Sequence, residues 1–144
     1  MYHLQNLKFV NLLHASYTNG ATATANIDTL GFDSVLVEIK TTTSNDGTNN
    51  WSVCKLAESD DTNASNFANV SGTVGDTDWT VPTADTSDVQ IFQFHVRTAA
   101  RKRYLRLSIS PTTTQIITAT ALLGRAAELP NTTTEQGTVS SVNV

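Results

Sequence analysis

The stretch Ile27–Thr43, IDTLGFDSVLVEIKTTT, decides how the rest of the chain is read. Asp28, Thr29 and Gly31 make a polar turn directly ahead of an alternating run. Val35, Val37 and Ile39 fall on one side of that run; Ser34, Glu38 and Lys40 fall on the other. A period of two is the pattern of a strand with one buried and one exposed face. The run contains no nucleophile motif, no metal-ligand pair and no phosphate loop, so it predicts a scaffold strand over Asp33–Thr41.

The same alternation recurs along the chain. Val89–Arg97, VQIFQFHVR, places Phe92, Phe94 and Val96 on one face. Tyr104–Ser110, YLRLSIS, places Leu105, Leu107 and Ile109 inward. Ala21–Ile27 alternates small residues with Thr, and Phe67–Val70 is a short strand candidate. Lys8–Tyr17 reads as a first strand or a docked arm. Trp51–Glu58 is expected to return antiparallel to Asp33–Thr41, because Asp46-Gly47 between them is a strong hairpin signal. Gln115–Gly124 has Ile and Leu on both faces, as in a strand covered on both sides; the run would also allow a short buried helix, and the Ile and Thr of its first half favour the strand. Ser71–Asp88 is a long loop with Gly72, Gly75 and Pro82, and an extended piece near Trp79–Val81.

Strands at intervals of ten to twenty residues, separated by turn chemistry, predict an all-β fold. The expected architecture is a single antiparallel β-sandwich of jelly-roll type with extended N- and C-terminal arms. The expected division is an arm or first strand over 1–20, a sandwich over 21–130 and a tail over 131–144. After Pro130 the periodic pattern is lost.

Composition agrees and limits the function. The chain has 144 residues, of which 15% are charged and 39% hydrophobic. Helix formers are sparse, and Thr, which fits a half-exposed pleated surface, is abundant. The net charge of −4 argues against general nucleic-acid binding, which needs a basic face. Cys54 is the only cysteine, so neither an internal disulfide nor a cysteine zinc site is available. The N-terminal segment is too polar for a signal peptide, and no run approaches the roughly 20 apolar residues that span a bilayer.

The residues that carry chemistry elsewhere form no constellation here. His3, His14 and His95 lie far apart and lack ligand spacing. No Gly-x-Ser-x-Gly elbow occurs. Glu58–Asp61 gathers three carboxylates but lacks the order of an EF-hand loop, and Ser, Asp and Asn belong in turns for local hydrogen-bonding reasons. The expectation is therefore no catalytic residue, no metal and no cofactor. Trp51 opens a strand and belongs in the core, whereas Trp79 lies in the long loop, where an exposed Trp marks a protein contact more often than a sugar platform. Arg97, Arg101, Lys102, Arg103 and Arg106 are five of the nine Lys and Arg residues, gathered within ten positions. They read either as a solvated turn or as a basic patch that docks on an acidic surface. With Trp79 they form the candidate interface.

Three segments carry a resemblance to a known family. They are IDTLGFDSVLVEI (27–39), KLAESDDTNASNFANV (55–70) and KRYLRLSISPTTT…ATALLGRAAELP (102–130). Together they resemble tailed-bacteriophage head decoration, or capsid cement, proteins. The resemblance implies a structural virion protein without enzymatic activity, often trimeric. Its implied partners are the major capsid protein and other copies of itself, with no nucleic acid and no membrane. Its implied place is the outer surface of the assembled capsid, after synthesis in the host bacterial cytoplasm. Readings from other classes are a carbohydrate- or receptor-binding module of a tail or fibre, a small sandwich hydrolase, and a head–tail connector or tail subunit.

Overall fold

The computed structural model describes residues 7–42, 50–84 and 88–126. The Asp46-Gly47 turn, His3, Pro130 and the 131–144 tail lie outside them. Eight strands run in order: β1 (Lys8–Tyr17), β2 (Ala23–Asp28), β3 (Phe32–Thr41), β4 (Trp51–Ser59), β5 (Ala68–Asn69), β6 (Gln90–Arg97), β7 (Tyr104–Pro111) and β8 (Gln115–Ala126). Two single 3₁₀ turns, Ala64–Asn66 and Thr98–Ala100, are the only helical pieces among the described residues.

The strands form two four-stranded antiparallel sheets, ordered β1-β8-β3-β6 (sheet A) and β2-β7-β4-β5 (sheet B). Partners nest: β1 pairs with β8, β2 with β7, β3 with β6 and β4 with β5. The chain is thus a doubled ribbon whose two halves also meet at β3–β8 and β4–β7. The inner faces enclose the core. Val35, Val37, Ile39, Ile117, Ala119, Ala121 and Leu123 come from sheet A; Ile27, Trp51, Cys54, Leu56, Leu105, Leu107 and Ile109 come from sheet B.

The polar turn of the opening stretch works as its residue types require. The Leu30 amide donates to Asp28 Oδ1, and the Phe32 amide to the Thr29 carbonyl. Gly31 has φ +84°, which only a residue without Cβ adopts at no cost. Buried Thr29 ties this turn to the β6–β7 connection, its amide and hydroxyl both donating to the Arg103 carbonyl.

Three expectations are corrected. β4 does not return beside β3. The neighbours of β3 are β8 and β6, and those of β4 are β7 and β5, so the two strands lie in opposite sheets. Both have strongly apolar inner faces, and these are buried together across the core. Nor is β8 covered on both sides: Ile117, Ala119, Ala121 and Leu123 are buried, but Ile116 on the other face is 48% exposed. Trp79 is not an exposed loop residue. It is half-buried, with its ring edge-on to Phe94 at 5.9 Å and its indole N–H donating to the Thr73 carbonyl at 3.1 Å.

The loop that holds Trp79 protects a sheet edge. β5 is only two residues long, so most of β4 has no strand on that side. The loop supplies partners instead. The Val70 amide donates to the Leu56 carbonyl, Gly75 to Cys54 and Asn50 to Pro82, and Thr73 Oγ1 accepts from the Leu56 amide. Covering an otherwise open edge prevents unwanted strand pairing.

Candidate interaction surfaces

Four of the five clustered cations are engaged within the fold. Arg101 reaches Glu58 at 3.5 Å, and Lys102 meets Asp60 at 3.5 Å while its amide donates to Glu58. Arg103 makes a two-pronged contact with Asp28, at 2.9 and 2.7 Å, and its guanidinium lies over the Tyr104 ring. Arg106 points out of the core, as its alternation with Leu105 and Leu107 requires. It donates to Asn26 at 2.8 Å and stacks on Phe67 at 3.8 Å from the ring centroid. Between them these contacts join the β6–β7 connection to the ends of β2 and β4. Arg97 alone of the five has no polar side-chain partner among the described residues.

The bond with Arg103 holds the Asp28 carboxyl below its ordinary value of 3.8, helped by the Leu30 amide. The unfolded carboxyl therefore takes up its proton first as pH falls. The contact stabilises the fold above the ordinary carboxylate range, and its contribution disappears as pH drops through the lowered value. Both partners are over 40% exposed, so water and salt screen the pair strongly. Asp28→Asn is expected to lower the melting temperature slightly at pH 7 and low salt. The difference from wild type should shrink as pH falls through and below the carboxylate range and in molar salt, as paired thermal melts will show.

The acidic run is a capped turn. Asp61 accepts from the Asn66 side chain, the Asn63 amide and Ser59 Oγ, which together hold its carboxyl below 3.8. Asn63 in turn caps the Ala64–Asn66 turn by accepting from the Ser65 amide. No group of three His, Cys, Asp or Glu side chains placed to hold a metal occurs among the described residues. His14 Nδ1 lies 3.1 Å from Thr118 Oγ1, and His95 is exposed on β6, far along the sheet from it.

The two outer faces differ in character. On sheet B the outward rows are mainly polar: Thr24–Ser108–Lys55, and Asn26–Arg106 ending on buried Ala57. On sheet A one row crosses all four strands as Phe9–Leu122–Leu36–His95, three of the four apolar. Phe9 is 45% exposed; Ile116 and Ile91 add apolar surface further along. The adjoining row is Gly124–Ser34–Arg97, with the Ala126–Phe32 pair beyond it. Here a shallow groove of about 360 Å³ is lined by Leu7, Leu36, Leu122, Gly124, Ser34, His95 and Arg97, with Val35 and Val96 beneath. The next row inward holds Glu38, which is already engaged: Lys40 lies 2.9 Å from it and the Gln93 side chain donates to it. Those two bonds hold its carboxyl below 4.5.

This face was absent from the candidate residues drawn from sequence, apart from Arg97. The signal was present. Leu36 interrupts the polar side of the Ser34–Lys40 alternation, and Ile116 and Leu122 are the apolar residues on the second face of β8.

No family model matches this chain, and no curated protein matches it in sequence.

Proposed function

We propose that the chain is a structural virion protein that binds the outer surface of an assembled phage capsid and stabilises it at capsomer junctions. The observation that carries this reading is the outer face of sheet A. An apolar row, extended by exposed Ile91 and Ile116 and bordered by Arg97, suits contact with another protein. The strand order supports it. We read the nested pairing, 1-8-3-6 facing 2-7-4-5, as a jelly roll, an architecture of viral capsid and lectin domains. That fold analogy supports a class and not a residue-level role. The termini, in this reading, are arms that reach neighbouring subunits, and the copies on the shell form a symmetric homo-oligomer, a trimer by the family resemblance.

The physics fits a coating role. A subunit that binds only the assembled shell stabilises that shell by mass action. Repetition over a symmetric lattice multiplies modest affinities. A flat sheet face with no deep pocket is enough for this. A glycan-binding module would instead present stacked aromatics, yet Trp51 is buried and Trp79 is packed against Phe94. The basic cluster contributes chiefly by bracing the fold, and Arg97 is its member best placed to meet a partner.

The test is direct. Purified protein is mixed with assembled shells and with unassembled capsid subunits, and antibody-labelled virions are imaged. Regularly spaced label on the head, with binding to shells but not to free subunits, is the expected result. Label confined to tails, or absent from virions, overturns the proposal.

A further inference from the structure

We propose that the groove at the Arg97 end of sheet A receives an extended acidic segment of the protein this chain coats. An apolar side chain of that segment rests on Leu36, Leu122 and Leu7, and a neighbouring carboxylate is held by Arg97 with Ser34 and His95 beside it. The identity of the partner rests on the coating role above; the chemistry of the groove does not.

Register places the groups. Arg97 lies directly opposite Ser34, and His95 opposite Leu36, so three polar side chains border one apolar floor. Gly124 keeps that floor open. A Cβ there would come within 3.1 Å of Ser34 Oγ and 3.4 Å of Leu7 Cδ2. Although the chain carries a net charge of −4, the charge at this spot is positive. Arg97 has no polar partner among the described residues, and the nearest acid on the described part of this face, Glu38, is held by Lys40 and Gln93. A guanidinium beside an apolar surface binds a carboxylate in two-pronged fashion, with geometric selectivity that an ammonium lacks. A second copy of the chain fits poorly. The carboxylates on the described part of its own sheet A are Glu38, already engaged, and Asp33, which also has a partner and falls on the Val35 side of the alternation, and the copy brings a second Arg97 with it.

The probe is the acetylated, amidated pentapeptide Val-Leu-Asp-Leu-Val, together with its Asn counterpart. Each is titrated into the ¹⁵N-labelled full chain at low ionic strength. The Asp peptide is expected to shift the amides of Ser34, Leu36, His95, Arg97, Leu122 and Gly124. Binding should weaken by about tenfold for the Asn peptide or for Arg97→Gln, with partial retention in Arg97→Lys. Arg97 is exposed, so the melting temperature of these variants should stay at the wild-type value. Absence of shifts at millimolar peptide, or shifts elsewhere on the surface, overturns the proposal. Shifts at these amides that follow protein concentration without peptide assign the groove to a second copy and overturn it as well. Contacts from the groove to residues 127–144 in the peptide-free chain also overturn it.

The titration needs no capsid, so its failure is distinct from failure of the coating role. On assembled shells, Arg97→Glu combined with Leu36→Ser should lower affinity by at least about tenfold. Unchanged shell affinity of that folded variant overturns the groove as the docking site while leaving the coating role intact.

Discussion

Replacing Leu107 by alanine lowers the unfolding free energy by about 2–5 kcal/mol, the cost of lost apolar transfer plus the cavity left behind. Leu107 is fully buried at the middle of β7, between Ala25 of β2 and Leu56 of β4. Its neighbours cannot collapse into the space. Ala25 is already small, and Leu56 is held by a strand that is hydrogen-bonded on both sides. For a chain of this length each kcal/mol lowers the melting temperature by roughly 2–4 °C. Ile116→Ala, on the outer face of β8, is the control and should change stability by no more than about 0.5 kcal/mol. Urea titrations of both variants with an unchanged slope give the comparison. A loss below about 1 kcal/mol for Leu107→Ala contradicts a close-packed core between the sheets.

Native Cys54 reacts with a thiol reagent at least about a thousandfold more slowly than the same residue in the unfolded chain at neutral pH. Burial pushes its thiol from the ordinary 9.0 up to about 12, which is three factors of ten in thiolate. Occlusion between the sheets slows the reaction further, since the residue is 1% exposed. The reaction then reports opening of the sandwich. Fast native labelling, at the rate of a free thiol, contradicts the placement of β4. A pH dependence follows from the same burial. The unfolded thiol loses its proton near pH 9, whereas the folded one keeps it to about 12. The stabilising contribution is complete below pH 9 and is lost as pH rises through that window. Cys54→Ala lowers stability at pH 7 by leaving a small cavity, but it should remove this part of the alkaline decline. Unfolding curves at pH 7 and pH 11 in both proteins measure the difference.

The outer face of sheet A shows where a sequence reading loses information. Arg101, Lys102, Arg103 and Arg106 stand out because they are neighbours in the chain. Their partners do not: Asp28 lies 75 positions from Arg103, and Asn26 lies 80 from Arg106. A run of cations can be seen in one segment, whereas its neutralisation needs two. Leu36 presents the reverse case. Alone it is one apolar residue on a polar side, and it becomes part of a surface only when β8 and β1 bring Leu122 and Phe9 into the same row.

Local structure is legible in the chain alone. Alternation in β3, β6 and β7 gives the strands and their buried residues, because successive side chains of an extended chain point to opposite faces. Gly31 and Asp28 mark the turn before β3, because only a few residue types satisfy that backbone. Strand pairing is settled only by the packed molecule. Alternation in β3 and β4 says that each has an apolar face, but both a hairpin and a cross-core arrangement bury such faces. Ser52 inserts an extra residue opposite Ser110, so Trp51 and Cys54, three positions apart, both point inward. The choice of neighbour depends on backbone hydrogen bonds that every residue type except proline can make. Side-chain pattern therefore selects the face of a strand, and only packing of the whole chain selects the strand beside it.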